Sequence, residues 1–133
     1  MRHMKIAIKT NRKVELIDIT SSINSVIKKE GIKEGMCTVY IPHTTAGILI
    51  NENYDPDVKR DILNWLDDKV ARSGDYLHSE GNADAHIKSA LVGSSTVLII
   101  DEGELLLGRW QGVFFAEFDG PRQRKIWVKV SED

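Results

Sequence analysis

Tyr40-Ile41-Pro42-His43-Thr44-Thr45-Ala46-Gly47-Ile48-Leu49-Ile50-Asn51-Glu52-Asn53 sets two apolar runs on either side of a small polar knot. Cys37 to Ile41 reads as a strand, and Pro42 forbids its regular continuation because it has no amide hydrogen to donate. Ala46 to Ile50 reads as the next strand and ends at amides and a carboxylate. Between the runs sit an imidazole and two hydroxyls, which a core does not need. Polar groups at the point where a buried strand gives way to irregular backbone mark a candidate site.

Upstream, Met4 to Lys9 alternates Met4, Ile6, Ile8 against Lys5, Ala7, Lys9, the pattern of a half-buried strand. Asn11-Arg12-Lys13 is a plausible turn, and Val14 to Ile19 a second strand, so an opening hairpin is expected. Thr20-Ser21-Ser22 offers N-caps for a helix with Ile23, Val26 and Ile27 on one face, closed by Gly31. Downstream, Tyr54-Asp55-Pro56-Asp57 is a strong helix start, since proline suits the first turn and aspartate the positive end of the dipole. Val58, Ile62, Leu63, Trp65, Leu66 and Val70 form its apolar face. The acids on its other face read as solvated surface.

Residues 73–84 lose periodicity, and a long irregular stretch in a compact domain is commonly functional or disordered. A short helix follows, with His86, Ile87, Ala90 and Leu91 spaced to share a side and Gly93 to stop it. Thr96 to Ile100, Val113 to Phe118 and Lys125 to Val130 then read as strands, with turns at Asp101-Glu102-Gly103-Glu104, after which Leu105 to Leu107 leads into Gly108, and at Asp119-Gly120-Pro121-Arg122. The order ββαββααβββ lacks the strict βα alternation of a doubly wound sheet. A single α+β domain over residues 1–133, mostly antiparallel, is expected.

At 133 residues there is room for one core and no second domain. Eighteen basic against 20 acidic residues, net −2, argue against a general nucleic-acid binder. No apolar run approaches the roughly 20 residues that span a bilayer. The start Met1-Arg2-His3-Met4 lacks the apolar core of a signal peptide. The lone Cys37 sits mid-strand with no basic neighbour, so it suits a reducing, cytoplasmic setting and has no claim to be a nucleophile.

Three histidines, His43, His78 and His86, lie in small or polar surroundings, and imidazole is the commonest transition-metal ligand. Their spacing matches no compact metal motif. Each has a structural reading as a hydrogen-bonded histidine. Glu52 is a candidate base or ligand whose alternative role is to cap the following helix. Asp84 reads first as a helix N-terminal acid, and Glu117 interrupts an apolar run. Arg109, Arg122 and Arg124, with Thr44, Thr45 and Ser89, could meet an anion, since guanidinium matches phosphate. Asn51 and Gln111 add amides. No Walker loop, GxGxxG or Gly-x-Ser-x-Gly elbow is present.

Pro42-His43-Thr44-Thr45-Ala46, Asn51-Glu52-Asn53, Asn82-Ala83-Asp84-Ala85-His86-Ile87-Lys88-Ser89 and Leu107-Gly108-Arg109-Trp110-Gln111-Gly112 closely resemble the motifs of the YjbQ-like family, also called the secondary thiamine-phosphate synthase family. The resemblance runs nearly the whole chain. It implies a small antiparallel sheet sandwich with two to three helices that assembles as a homotrimer. It also implies a reaction joining a hydroxymethylpyrimidine diphosphate to a thiazole phosphate with release of pyrophosphate. The family's shared histidines fall on His43, His78 and His86, as ligands of a divalent ion (zinc or magnesium) or of phosphate oxygens. Two departures bear on the substrate. The loop Glu80-Gly81-Asn82-Ala83-Asp84 is shorter than in many members, and Arg109 stands where many carry threonine.

The expectation is therefore a metal-assisted enzyme acting on a small phosphorylated metabolite. His43, Glu52, His78 and His86 are its catalytic candidates, and Thr44, Thr45, Asn51, Arg109, Gln111 and Arg122 would bind substrate. The alternatives are a trimeric binding module without turnover and a metal-dependent hydrolase.

Overall fold

In the computed structural model, residues 2–133 are described, and Met1, part of the start read above, lies outside them. The elements run β1 (Arg2–Lys9), β2 (Glu15–Asp18), α1 (Thr20–Glu30), β3 (Gly35–Tyr40), β4 (Ala46–Glu52), α2 (Pro56–Lys69), α3 (Ala83–Val92), β5 (Ser95–Asp101), β6 (Glu104–Leu105), β7 (Gln111–Glu117) and β8 (Gln123–Glu132). The short β6 is one strand more than the expected order. Every pairing is antiparallel, in a five-stranded sheet of order β1-β8-β3-β5-β6 and a three-stranded sheet of order β2-β7-β4. The α+β reading with an antiparallel sandwich holds.

The opening hairpin does not form. β1 pairs with β8 from Arg2↔Val130 to Lys9↔Gln123, whereas β2 pairs with β7 in the other sheet. A tight hairpin needs positive φ in its turn, and among the described non-glycine residues only Glu102 has it. Residues 10–13 instead run beside the turn after β7, with the Thr10 amide donating to Arg122 O (3.0 Å) and the Gly120 amide to Lys13 O (3.0 Å). A Cβ at Gly120 would meet Arg12 O at 2.1 Å, so only glycine permits this approach. The expected turn at residues 101–104 is present, with Glu102 and Gly103 at φ 52° and 82°.

The main core lies between the sheets, where Cys37, Val39, Ile126 and Val128 face Ile48, Val113 and Phe115, and α1 adds Ile23, Val26 and Ile27. A smaller cluster of Leu66, Ala85, Ala116 and Phe118 joins α2 and α3 to the other face of the three-stranded sheet. Strand β7 is covered on both faces, which is why Val113 to Phe118 is continuously apolar and not alternating.

Two helix expectations need correction. The first concerns the start of α1, which no side chain of residues 20–22 caps. Asp18 Oδ1 accepts from the Thr20 amide (2.9 Å), while the Thr20 hydroxyl turns to accept from the Val113 amide (2.9 Å). The second concerns α3, whose expected face, Ile87 with Leu91, points outward at 40% and 62% exposure. Its buried side carries Ala85, Asp84, Lys88 and Ser89. Lys88 Nζ bonds Asp84 Oδ2 (2.9 Å) and Asp67 Oδ1 of α2 (2.6 Å), and Ser89 Oγ donates to Ala46 O (2.6 Å). Polar groups can face inward here because their partners lie on other elements as well as on the same helix. By contrast α2 begins as expected, with Asp55 Oδ1 accepting from the Asp57 amide at 2.9 Å. No helix among the described residues is long and apolar enough to cross a membrane.

Candidate functional site

Strand β3 stops at Tyr40 and β4 starts at Ala46, so Pro42, His43, Thr44 and Thr45 sit on irregular backbone at one end of the sandwich. Register brings two other segments to that end. Ala46 pairs with Glu117 at the end of β7, and β8, which starts at Gln123, lies beside β3. The result is a polar cavity of about 380 Å³, walled by residues 42–45, by Glu80, Asn82 and His86, and by Asp119, Arg122 and Arg124.

One wall is braced by a buried ion pair. Arg124 Nε donates to Glu117 Oε2 (2.8 Å) and Nη2 to Oε1 (2.5 Å), and Nη2 also reaches Thr45 Oγ1 (2.8 Å). Glu117, fully buried, further accepts from Thr10 Oγ1 and the Asp119 amide, both at 2.9 Å. Burial alone would raise its pKa, but the Arg124 bond and these other donors outweigh it and hold the carboxyl below its ordinary range. Arg124 Nη1 has no hydrogen-bond partner among the described residues, and the residue borders the cavity.

His43 is fixed by its own contact. Its Nε2 lies 3.0 Å from the Lys125 amide nitrogen and 3.1 Å from the Lys125 carbonyl oxygen. Burial, then the Arg124 charge, push its pKa below 6.5, which favours the neutral ring. In the tautomer that accepts the Lys125 amide, Nδ1 carries the hydrogen.

Asp119 organises the opposite wall. It accepts from Asn82 Nδ2 (2.8 Å), Lys13 Nζ (3.1 Å) and Arg122 Nη2 (2.9 Å), while Arg122 Nε donates to its carbonyl (2.8 Å). Burial raises its pKa, but these bonds and the two cations more than reverse that, so the net direction is down. Asn82 Oδ1 is 2.9 Å from His78 Nε2, and since an amide oxygen only accepts, that nitrogen donates. His78 and His86 meet edge to face with ring centroids 5.0 Å apart. The His86 ring and Arg122 Nη1 have no hydrogen-bond partner among the described residues.

The structure thus gathers His43, Thr44, Thr45, His86 and Arg122, with His78 one ring away. It does not bring Asn51, Glu52, Arg109 or Gln111 to them. Six strand steps from Ala46 to Glu52 span about 20 Å. Glu52 Oε2 accepts from the amides of Tyr54 (2.9 Å) and Asp55 (3.4 Å), so it shapes the turn that leads into α2, whose cap is Asp55 and not Glu52. Asn51 Oδ1 accepts from the Glu52 amide (2.7 Å), Gln111 Oε1 from the Gly108 amide (2.7 Å), and Arg109 lies over the Trp110 ring at 4.8 Å. Among the described residues no three His, Cys, Asp or Glu side chains lie close enough to hold a metal ion. Cys37 is buried, which pushes its thiol up to about 11 and keeps it protonated.

Sequence reasoning missed Asp119 and Lys88. Asp119 gave no signal beyond its place in a turn. The Asp84–Lys88 spacing of four on a helix was the available sign of an ion pair.

A family model described as UPF0047 protein YjbQ-like matches residues 4–133. The chain belongs to the YjbQ-like family. A UPF0047 protein of Methanocaldococcus jannaschii is 55% identical over 129 residues, covering 97% of this chain and 94% of that protein. UPF0047 protein YugU of Bacillus subtilis is 47% identical over 126 residues, 94% of this chain and 96% of YugU. Among solved structures, a Clostridium acetobutylicum protein of the YjbQ/UPF0047 family superposes with TM-score 0.94 at 52% identity, covering 96% of this chain and 99% of that one. A hypothetical protein from Aeropyrum pernix gives 0.94 at 31% identity over 100% of both chains. The YjbQ-like fold is therefore shared across bacterial and archaeal relatives.

Proposed function

We propose that the polar cavity holds the phosphate of a small metabolite, and that the protein is an enzyme acting on it. The convergence of His43, His86, Arg122 and Arg124 on one cavity carries this reading. Both guanidinium groups are braced by carboxylates and keep Nη1 unengaged, an arrangement suited to meeting phosphate oxygens without rearrangement. Thr44 and the His43 ring are the neutral donors beside them.

Because Glu117, Asp119 and Glu80 offset Arg122, Arg124 and Lys13, a phosphate dianion needs further positive charge. A divalent ion, zinc or magnesium, supplies it. His78 and His86 are the imidazoles close enough to share such an ion, while His43 keeps Nε2 on Lys125. Bound there, the ion would neutralise charge on a departing phosphate or diphosphate. Thiamine-phosphate synthesis is the specific reaction proposed. A homotrimer is proposed as well, and the outward face of β3 and β5 supports it, with Met36, Val97 and Ile99 43%, 58% and 53% exposed. The lone buried Cys37 supports a cytoplasmic setting.

The placement of Glu52 favours a second reading. With the expected base held in the turn before α2 at the far end of β4, a module that binds a phosphometabolite without converting it is the alternative. Calorimetric titration with inorganic phosphate, with and without zinc or magnesium, tests the shared claim. Saturable binding that Arg122→Gln weakens at least tenfold is expected, and its absence in wild type under every condition would refute the reading. Incubation with the pyrimidine diphosphate and thiazole phosphate separates the two. Product that His86→Ala abolishes means an enzyme of this kind; tight binding with no product means a module or another reaction.

A further inference from the structure

His86 is a wall of two cavities. Besides the polar one, it borders an open cavity of about 440 Å³ lined by Tyr76, Leu77, Ala83 and Ile87, with His78 and Asp75 at its edge. The two have opposite chemistry, charged and polar groups (guanidinium, carboxylate, hydroxyl and amide) in the first and mostly hydrocarbon in the second. Each has a volume within the range of small-ligand sites.

The apolar cavity is not a leftover of the core. Leu77 is fully exposed and Ile87 is 40% exposed, so neither joins the packed clusters of the domain. The loop that presents Leu77 is nonetheless held in place. The Tyr76 hydroxyl donates to Ala71 O (2.5 Å), and His78 is tied through Asn82 to Asp119 of the polar cavity. One hydrogen-bonded chain therefore sets the apolar cavity against the polar one, and the His86 ring stands between them.

Resting on the phosphate reading above, we infer that the two cavities form one bipartite site for a phosphate monoester with an apolar organic part. The phosphate lies against Arg122 and Arg124. A ring or branched hydrocarbon lies against Tyr76, Leu77 and Ile87, with His86 beside the ester linkage. Continuity through His86 selects this occupant, because a ligand anchored in the polar cavity has its organic part directed past that ring. A phosphate with a hydrophilic tail would gain nothing from these side chains.

The test compares three probes by calorimetry on the full chain: inorganic phosphate, glycerol phosphate and phenyl phosphate. Phenyl phosphate is expected to bind roughly tenfold tighter than glycerol phosphate, the scale of burying part of one ring. Leu77→Ser and Ile87→Asn, at exposed positions the fold does not use, should erase that advantage and leave inorganic phosphate binding unchanged. If inorganic phosphate binds, and Arg122→Gln weakens it, but phenyl and glycerol phosphate bind equally, the bipartite site is refuted and the phosphate reading stands. An advantage that survives both variants, or a Leu77→Ser variant that changes only the oligomeric state, assigns the apolar surface to another role and overturns the inference. If no phosphate binds at all, both fall.

Discussion

The two ends of β4 carry similar residue types and differ in what those residues have left to offer. At the Glu52 end, one side-chain oxygen each of Asn51, Glu52 and Gln111 accepts from nearby backbone amides. At the Ala46 end, the Arg122 and Arg124 groups that touch carboxylates leave Nη1 free, and His86 has no hydrogen-bond partner among the described residues. A polar group engaged by local backbone shapes a turn or cap. Polar groups from distant segments that converge with capacity unused can bind something else.

Breaking the brace at the Ala46 end should have the largest effect. Glu117→Ala leaves Arg124 buried and unpaired, and is expected to cost about 3–5 kcal/mol in urea unfolding. A loss below about 1 kcal/mol would mean the pair is not what holds that wall. Arg122→Gln, on a side chain nearly half exposed, should leave the unfolding midpoint within error and weaken phosphate binding tenfold or more. Equal loss of both would move Arg122 from the site to the scaffold. Glu52→Ala sharpens the contrast from the other end. It should cost about 1 kcal/mol of stability through the lost turn hydrogen bonds and leave phosphate affinity untouched.

The smallest effect is in pH dependence. The folded-state pKa of His43 is depressed, so between that value and 6.5 the unfolded chain binds a proton that the folded chain refuses. Stability from this residue is complete above 6.5 and declines as pH falls through that window. His43→Gln should flatten this part of the stability profile, measured as urea midpoint against pH. An unchanged slope would assign it to other groups.

Much of the fold was legible where signals are local. Asp55-Pro56-Asp57 announced α2, and the Glu102-Gly103 turn its hairpin. The hairpin error at β1 arose because its true partner, β8, lies at the opposite end of the sequence, and no local pattern records that pairing. The face of α3 was misread for the same reason. Lys88 and Ser89 can be buried only because Asp67 and the Ala46 carbonyl, on other elements, receive them. In the site, residue chemistry pointed to His43, His86 and Arg122 but grouped Glu52 and Gln111 with them. The length of β4 already separates the two sets, though only once both are known to flank one strand.

The most direct test is a phosphate titration followed residue by residue through backbone amide resonances. Saturable shifts should appear around residues 43–45, 82–86 and 119–125, and residues 51–53 and 108–111 should stay still. Shifts centred on Glu52 and Gln111, or none that saturate, would contradict the assignment of the site to the Ala46 end of β4.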